Sequence, residues 1–191
     1  MIHALVLRNR SYRRYDESFE IPVTELEHLI ELARLSSSSR NLQPLKYIIS
    51  NSKERNAIIF STLSWAGYLR DWPGPVEGER PSAYIIMLGD TKISSGFSID
   101  PGIAAQSILL GAAEKGYGGC IIGTVNKENL EKQLKIPSHL EVMYVIALGK
   151  PVELVQLEDV KENGDIKYWR DEHKVHHVPK RLLKDIIVKL E

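Results

Sequence analysis

The chain has 191 residues, 43% of them apolar and 26% charged, with equal numbers of basic and acidic side chains and no net charge. That length and composition suit one globular domain with a good-sized core, and the neutral balance gives no electrostatic reason to expect nucleic acid or an anionic membrane as partner. A single cysteine, Cys120, excludes an intramolecular disulfide framework and an all-cysteine iron–sulfur site. With no secretory hydrophobic region at the N-terminus and no apolar run long enough to span a bilayer, a cytoplasmic location is expected.

In chain order, residues 2–8 read as a short amphipathic helix. Arg8 to Arg14 (R-N-R-S-Y-R-R) then packs four arginines into seven residues. Such a cluster is either a solvated basic turn or a phosphate site, in which arginine forks and the Ser11 hydroxyl meet phosphate oxygens. Thr24-x-x-Glu27 has the form of a capping box opening a helix to about Leu35. Ser36–Ser39, the one low-complexity patch, runs into Arg40, Asn41, Leu42, Gln43 and Pro44. The side-chain amides there could pair with a planar heterocycle or merely form a turn. A strand at 47–50 precedes a helix from Lys53 to about Leu63, capped by Ser52. Residues 64–81 form a loop with Trp65, Tyr68 and Trp72, which either anchors itself on the core or walls a ligand.

Ala83 to Leu88 reads as a buried strand ended by Gly89-Asp90. From Asp100 a helix runs with apolar side chains on most of its circumference, as expected of a core helix or a subunit interface. Asp100 is its expected N-cap, Pro101 suits its first position, and Gly116 its left-handed end. Tyr117-Gly118-Gly119-Cys120 is a glycine-rich turn that could bring backbone close to a flat ligand. It leads into a strand over 120–124. Asn126 caps a helix over 127–135, and Glu141 to Leu148 is the longest strand. After Pro151 the chain is charged, carries Asn163-Gly164 as a hairpin signal, and ends in an apolar segment from Leu182 that fits helix or strand. The order of elements fits an α+β sandwich.

No nucleotide-binding glycine or P-loop pattern is present. His173, His176 and His177 match no standard metal spacing and read as polar loop histidines, and Cys120 reads as a buried structural thiol. No metal is expected.

Taken together, these stretches resemble the nitroreductase family of FMN-dependent oxidoreductases. R-N-R-S-Y-R-R-Y at 8–15 is similar to the family's R-R-S-x-R-x-F/Y. S-S-S-R-N-L-Q-P-L at 37–45 is similar to P-S-x-x-N-x-Q-P-W. The segment at 100–123 resembles D-x-G-x-A-x-Q-x-x-x-L-x-A-x-x-x-G-L-G-T-C-W-I-G, residues 136–151 resemble the strand ending in L-G-x-P, and V-P-K-R at 178–181 resembles a C-terminal basic element. Asn9, Ser37 and Leu45 depart from the pattern.

The resemblance implies a nitroreductase-like fold over residues 1–191, with 150–191 as a C-terminal extension docked on a partner subunit. Its central sheet would be mostly antiparallel and flanked by helices, in a homodimer with FMN at the interface. Arg10, Arg13, Lys180 and Arg181 would meet the phosphate, and Ser11 the phosphate or ribityl chain. Ser38, Ser39, Asn41 and Gln43 would line the flavin, and backbone at Ile122, Gly123 and Thr124 would face its reactive edge. NAD(P)H would reduce the flavin, and a small electron-poor acceptor would then reoxidise it, with no catalytic side chain required. A specialised flavin enzyme of the same fold and a flavin carrier without turnover stay open as alternatives.

Overall fold

The computed structural model describes residues 1–161 and 164–190. Asn163 of the expected hairpin lies outside the described residues. The chain folds in the order α1 (Ile2–Arg8), β1 (Tyr15–Asp16), α2 (Val23–Arg34), a 3₁₀ turn (Ser39–Asn41), β2 (Leu45–Ser50), α3 (Lys53–Ser61) and β3 (Ala83–Asp90). It continues as α4 (Asp100–Glu114), β4 (Gly118–Ile122), α5 (Lys127–Leu134), β5 (Leu140–Pro151), β6 (Val155–Asp159), β7 (Trp169–Arg170), β8 (His176–Lys180) and α6 (Leu183–Ile186).

An antiparallel five-stranded sheet is built around β5, the longest strand. It pairs with β3 along one edge and with β4 and the two residues of β1 along the other, while β2 extends the sheet beyond β3. Both faces are covered. On one, α2 and α4 pack on Ile85, Met87, Ile146 and Leu148. On the other, Ile59 of α3, Leu130 of α5 and Trp65 pack on Tyr84, Ile86, Val145 and Ala147. Burial on both faces is why β3 is apolar almost throughout rather than alternating. It is also why the strand runs past its expected stop: Gly89 stays in the ladder because the Phe97 ring occupies the space of a β-carbon, 2.3 Å from where one would sit.

Helix α4 is buried along most of its length, and Gly111 lets it approach Leu32 of α2. It keeps an open stripe at Ile103, Gln106, Leu110 and Glu114, one helical face spaced by three and four residues. Gly116 takes the expected left-handed conformation, φ +77°. Two start signals are corrected. Helix α2 begins at Val23 after Pro22, with no capping box, because Pro22 sets the extended entry two residues before Thr24. Asp100 lies inside the first turn of α4 rather than capping it, and its carboxylate points to another loop.

The C-terminal extension forms a second, three-stranded sheet in which β6 and β8 are parallel and β7 is antiparallel to β8. His176 and His177 therefore stand in a strand, and both are buried, which corrects their reading as loop histidines. The chain then closes with the single turn α6 and exposed apolar side chains, among them Ile187, Val188 and Leu190. No helix among the described residues is long and apolar enough to cross a membrane.

Candidate active site

The arm between α1 and β1 lies against β4. The Tyr12 N–H donates to the Gly119 carbonyl at 3.1 Å, and Ser11 bridges the same glycine. A β-carbon on Gly118 would lie 2.5 Å from the Tyr12 ring, and one on Gly119 would lie 2.4 Å from Leu109. The glycine pair thus clears room for the N-terminal arm and for α4, a use different from the expected approach to a ligand. Arg8 fixes the start of the arm by donating to the last-turn Ala113 carbonyl at 2.7 Å, which also accepts from the Gly116 N–H at 3.2 Å.

Held this way, Arg10, Ser11 and Arg13 line a cavity of about 310 Å³ together with Gln106 and Leu109 of α4, Ile121 of β4, Tyr168, and His176 and Lys180 of β8. Among its described lining residues there is no carboxylate. The Arg10 Nε is buried with no hydrogen-bond partner, and burial lowers the Arg10 pKa. Arg13 lies over the Tyr168 ring at 5.0 Å, with one guanidinium nitrogen 3.2 Å from His176 Nε2. His176 is 1% exposed and its Nδ1 is unpartnered. Burial, reinforced by Arg13, Arg170 and His177, pulls its pKa down to about 4, so it is neutral at ordinary pH.

A second cavity of about 220 Å³ adjoins the first, sharing Arg13 and Ile121. It is lined by Ser64–Gly67 and by Cys120–Thr124, and so contains Ile122, Gly123 and Thr124. Gly123 and Thr124 are exposed at the end of β4. Trp65 is buried in the core and also lines this cavity, so the aromatic loop both anchors itself and forms a wall. The rest of that loop docks on the C-terminal extension, with Tyr68 against Tyr168 and Trp72 beneath Arg170. Cys120 is buried, and burial raises its thiol pKa, consistent with a structural residue.

The serine-rich loop lies elsewhere. Ser38 Oγ and the Ser39 N–H both donate to the Asp100 carboxylate, at 2.5 and 2.8 Å. Gln43 Nε2 donates to Asn41 Oδ1 at 3.2 Å. Arg40, Asn41 and Gln43 all take left-handed φ angles near +55°, a conformation that carries strain outside glycine. Ser38 and Gln43 line a separate cavity between α2 and β2, which shares no lining residue with the arginine cavity. One chain therefore brings together Arg10, Ser11, Arg13, Lys180 and the end of β4. It holds the serine and amide group apart from them. Arg181 is exposed and lines neither arginine-side cavity.

Sequence reading did not single out Glu153, Tyr168 or His176 for the site. Tyr168 and His176 line the cavity and Glu153 accepts from the Arg13 N–H behind it, all from the C-terminal extension across more than a hundred residues of chain, and no short motif marks them. Among the described residues no group of three or more histidine, cysteine or acidic side chains is placed to hold a metal ion.

The family model of the nitroreductase family matches residues 6–72 and 79–150, and the chain belongs to that family. It is 25% identical over 201 residues to an oxygen-insensitive NADPH nitroreductase of Helicobacter pylori strain J99, covering 86% of this chain and 94% of the relative. Among solved structures, a nitroreductase family protein from Clostridium novyi superposes with a TM-score of 0.65 at 23% identity, covering 79% of this chain and 86% of that one. An FMN-dependent nitroreductase from Clostridium difficile R20291 gives 0.64 at 24% identity, covering 80% and 88%.

Proposed function

We propose that the protein is an FMN-dependent oxidoreductase that takes electrons from NAD(P)H and delivers them to small electron-poor acceptors such as nitroaromatics or quinones. The observation that carries this reading is the carboxylate-free cavity lined by Arg10, Arg13 and Lys180, with a buried guanidinium nitrogen left unpartnered. Those are the donors an anionic phosphate would satisfy. Family membership and the FMN-dependent nitroreductase among the structural neighbours support FMN as the phosphate's bearer.

In this reading Arg10, Arg13 and Lys180 neutralise the phosphate, and Ser11 donates to phosphate or ribityl oxygens. The backbone from the buried Ile122 to the exposed Gly123 and Thr124 would face the ring system. Bound FMN supplies the hydride chemistry. The chain's residues would orient it, with Trp65 and Ile121 forming a wall of the cavity at the end of β4, and donor and acceptor would use the site in turn. No side chain is required as a nucleophile.

Ser38, Ser39, Asn41 and Gln43 complete the site from a second copy, in a homodimer that seats the open stripe of α4 against its counterpart. The separation of the two groups of residues within one chain supports that arrangement. The exposed apolar end, Leu183 to Leu190, supports docking of the extension on the partner subunit. We take residues 1–191 as one domain with 150–191 as that extension.

The protein as purified is expected to be yellow, to release FMN on denaturation, and to oxidise NADH or NADPH when a quinone is present. Colourless protein that cannot be reconstituted with FMN rejects the reading. Light scattering should report a dimer, weakened when residues 183–191 are removed. A monomeric wild type would reject the shared site.

A further inference from the structure

On the α3 side of the sheet, sharing no lining residue with the arginine cavity, lies a pocket of about 520 Å³. Three of its lining residues bury a polar atom that has no hydrogen-bond partner: Arg80 Nε, Ser82 Oγ and Tyr84 Oη. Tyr84 is 1% and Ser82 9% exposed. Unmet polar groups at such depth are costly, and three around one cavity are unusual unless something occupies it. Arg80 lies over the Phe60 ring at 4.7 Å, and no carboxylate among the described residues forms an ion pair with it. Burial, reinforced by Glu17 and opposed by Arg80, raises the Tyr84 pKa far above the ordinary phenol range, so its hydroxyl remains a donor.

The buried groups are donors, whereas outside them the three carboxylates of the lining outnumber its one exposed ammonium, Lys53. Glu20 and Glu77 are exposed at the lining and Glu17 is half-buried, accepting from the Gly78 N–H at 2.5 Å. We propose that this pocket binds a small zwitterion of the free α-amino acid class, its carboxylate on Arg80, Ser82 and Tyr84 and its ammonium toward Glu17, Glu20 and Glu77. A simple anion would meet the inner donors but also the field of three carboxylates. A simple amine would leave the inner donors unmet. The Phe60 ring and Ala57 offer the apolar surface on which a side chain would rest. The site is independent of the flavin reading.

The test is thermal unfolding of the protein as purified, with each of the twenty common α-amino acids, and with acetate and inorganic phosphate as probes of simple anion binding. At least one amino acid should raise the midpoint by about 2 °C or more at saturation. That shift should vanish in Arg80→Met and in Tyr84→Phe. Tyr84→Phe removes a hydroxyl with no protein partner and so should fold at least as well as wild type, which keeps the test readable if Arg80→Met does not fold. Both variants should keep wild-type quinone reduction. A crystal grown with the best amino acid should show it in the pocket with its carboxylate on Arg80. No shift with any amino acid, an equal shift with acetate or phosphate, a shift that survives Tyr84→Phe, or a pocket holding only water would each overturn the proposal.

Discussion

Glu153 Oε2 accepts a hydrogen bond from the backbone N–H of Arg13 at 2.9 Å, so one buried carboxylate ties the C-terminal extension to the arm that lines the arginine cavity. Its other oxygen pairs with Arg170 at 2.5 Å. The Glu153 side chain is fully buried and Arg170 nearly so, with its guanidinium over the Trp72 ring at 4.6 Å. Three segments distant in sequence therefore meet at one side chain.

Glu153→Ala leaves Arg170 buried without its partner, and breaking such a pair by removing one member costs about 3–5 kcal/mol. Urea unfolding should show that loss. Dialysis should show faster loss of flavin, because Arg13 is no longer held. Glu153→Gln, which keeps the shape and one acceptor, should lose less on both measures. Equal flavin retention in wild type and Glu153→Ala would mean that Arg13 is positioned without it.

Asp100 plays a comparable part for the serine loop. Its carboxylate takes two donors from Ser38 and Ser39 while lying 3% exposed in the first turn of α4, where negative charge is favoured. Asp100→Ala should cost about 3 kcal/mol, the range of two charge-assisted hydrogen bonds. It should also free a loop that holds three non-glycine residues at left-handed φ. Hydrogen exchange over 37–43 would report the loosening, and unchanged protection there would exclude Asp100 as the anchor.

Two adjacent histidines should give the extension opposite responses to pH. At His177, burial alone lowers the pKa, but hydrogen bonds with Asp171 and Glu158 outweigh it and raise the pKa above 6.5. Protonation thus favours the fold, and that contribution is complete below about pH 6.5 and lost as pH rises through the folded pKa. His176 is held neutral with a pKa near 4. Its contribution is complete above about 6.5 and is lost as pH falls toward 4. His177→Gln should flatten the alkaline side of the stability profile and His176→Phe the acid side, read as the difference in unfolding midpoint from wild type between pH 4 and 8. Parallel profiles would show that neither histidine is linked to folding.

The two basic residues at the end of β8 should differ. Lys180 lines the arginine cavity and Arg181 does not. Lys180→Glu should weaken flavin binding about tenfold or more at low salt, by an amount that shrinks as ionic strength rises. Arg181→Glu should do much less. Similar losses from both would place Arg181 at the phosphate through a contact outside the single chain.

What could be read from residue patterns tracks how local each cause is. Helix α4 and strand β5 stand out because burial imposes a continuous apolar composition on them. Ser52 and Asn126 cap as expected because the donors they meet are three residues away. The C-terminal sheet is illegible for the opposite reason. Strand β8 (H-H-V-P-K) carries a proline and little alternation, and its register is set by backbone pairing with β6 twenty-one residues earlier, Val155 opposite His176. In the site, Arg10, Ser11, Arg13 and Lys180 follow from resemblance and do line one cavity. Glu153 goes unmarked and His176 is read only as a loop histidine because their partner, Arg13, is 140 and 163 positions away in the chain. Thr24 and Glu27 show the limit of a short motif, since one proline before them moved the helix start.

The distance between the Asp100-held loop and the arginine cavity makes the proposed catalytic unit something two genes could share. A variant lacking Arg10 and Arg13 and another lacking Ser38 and Gln43 would each be inactive alone. Co-expressed and assorting at random, half of their dimers would be mixed, and each mixed dimer would carry one intact site beside one doubly damaged site. About a quarter of the sites would then recover, whereas two groups that served the same chain would never complement.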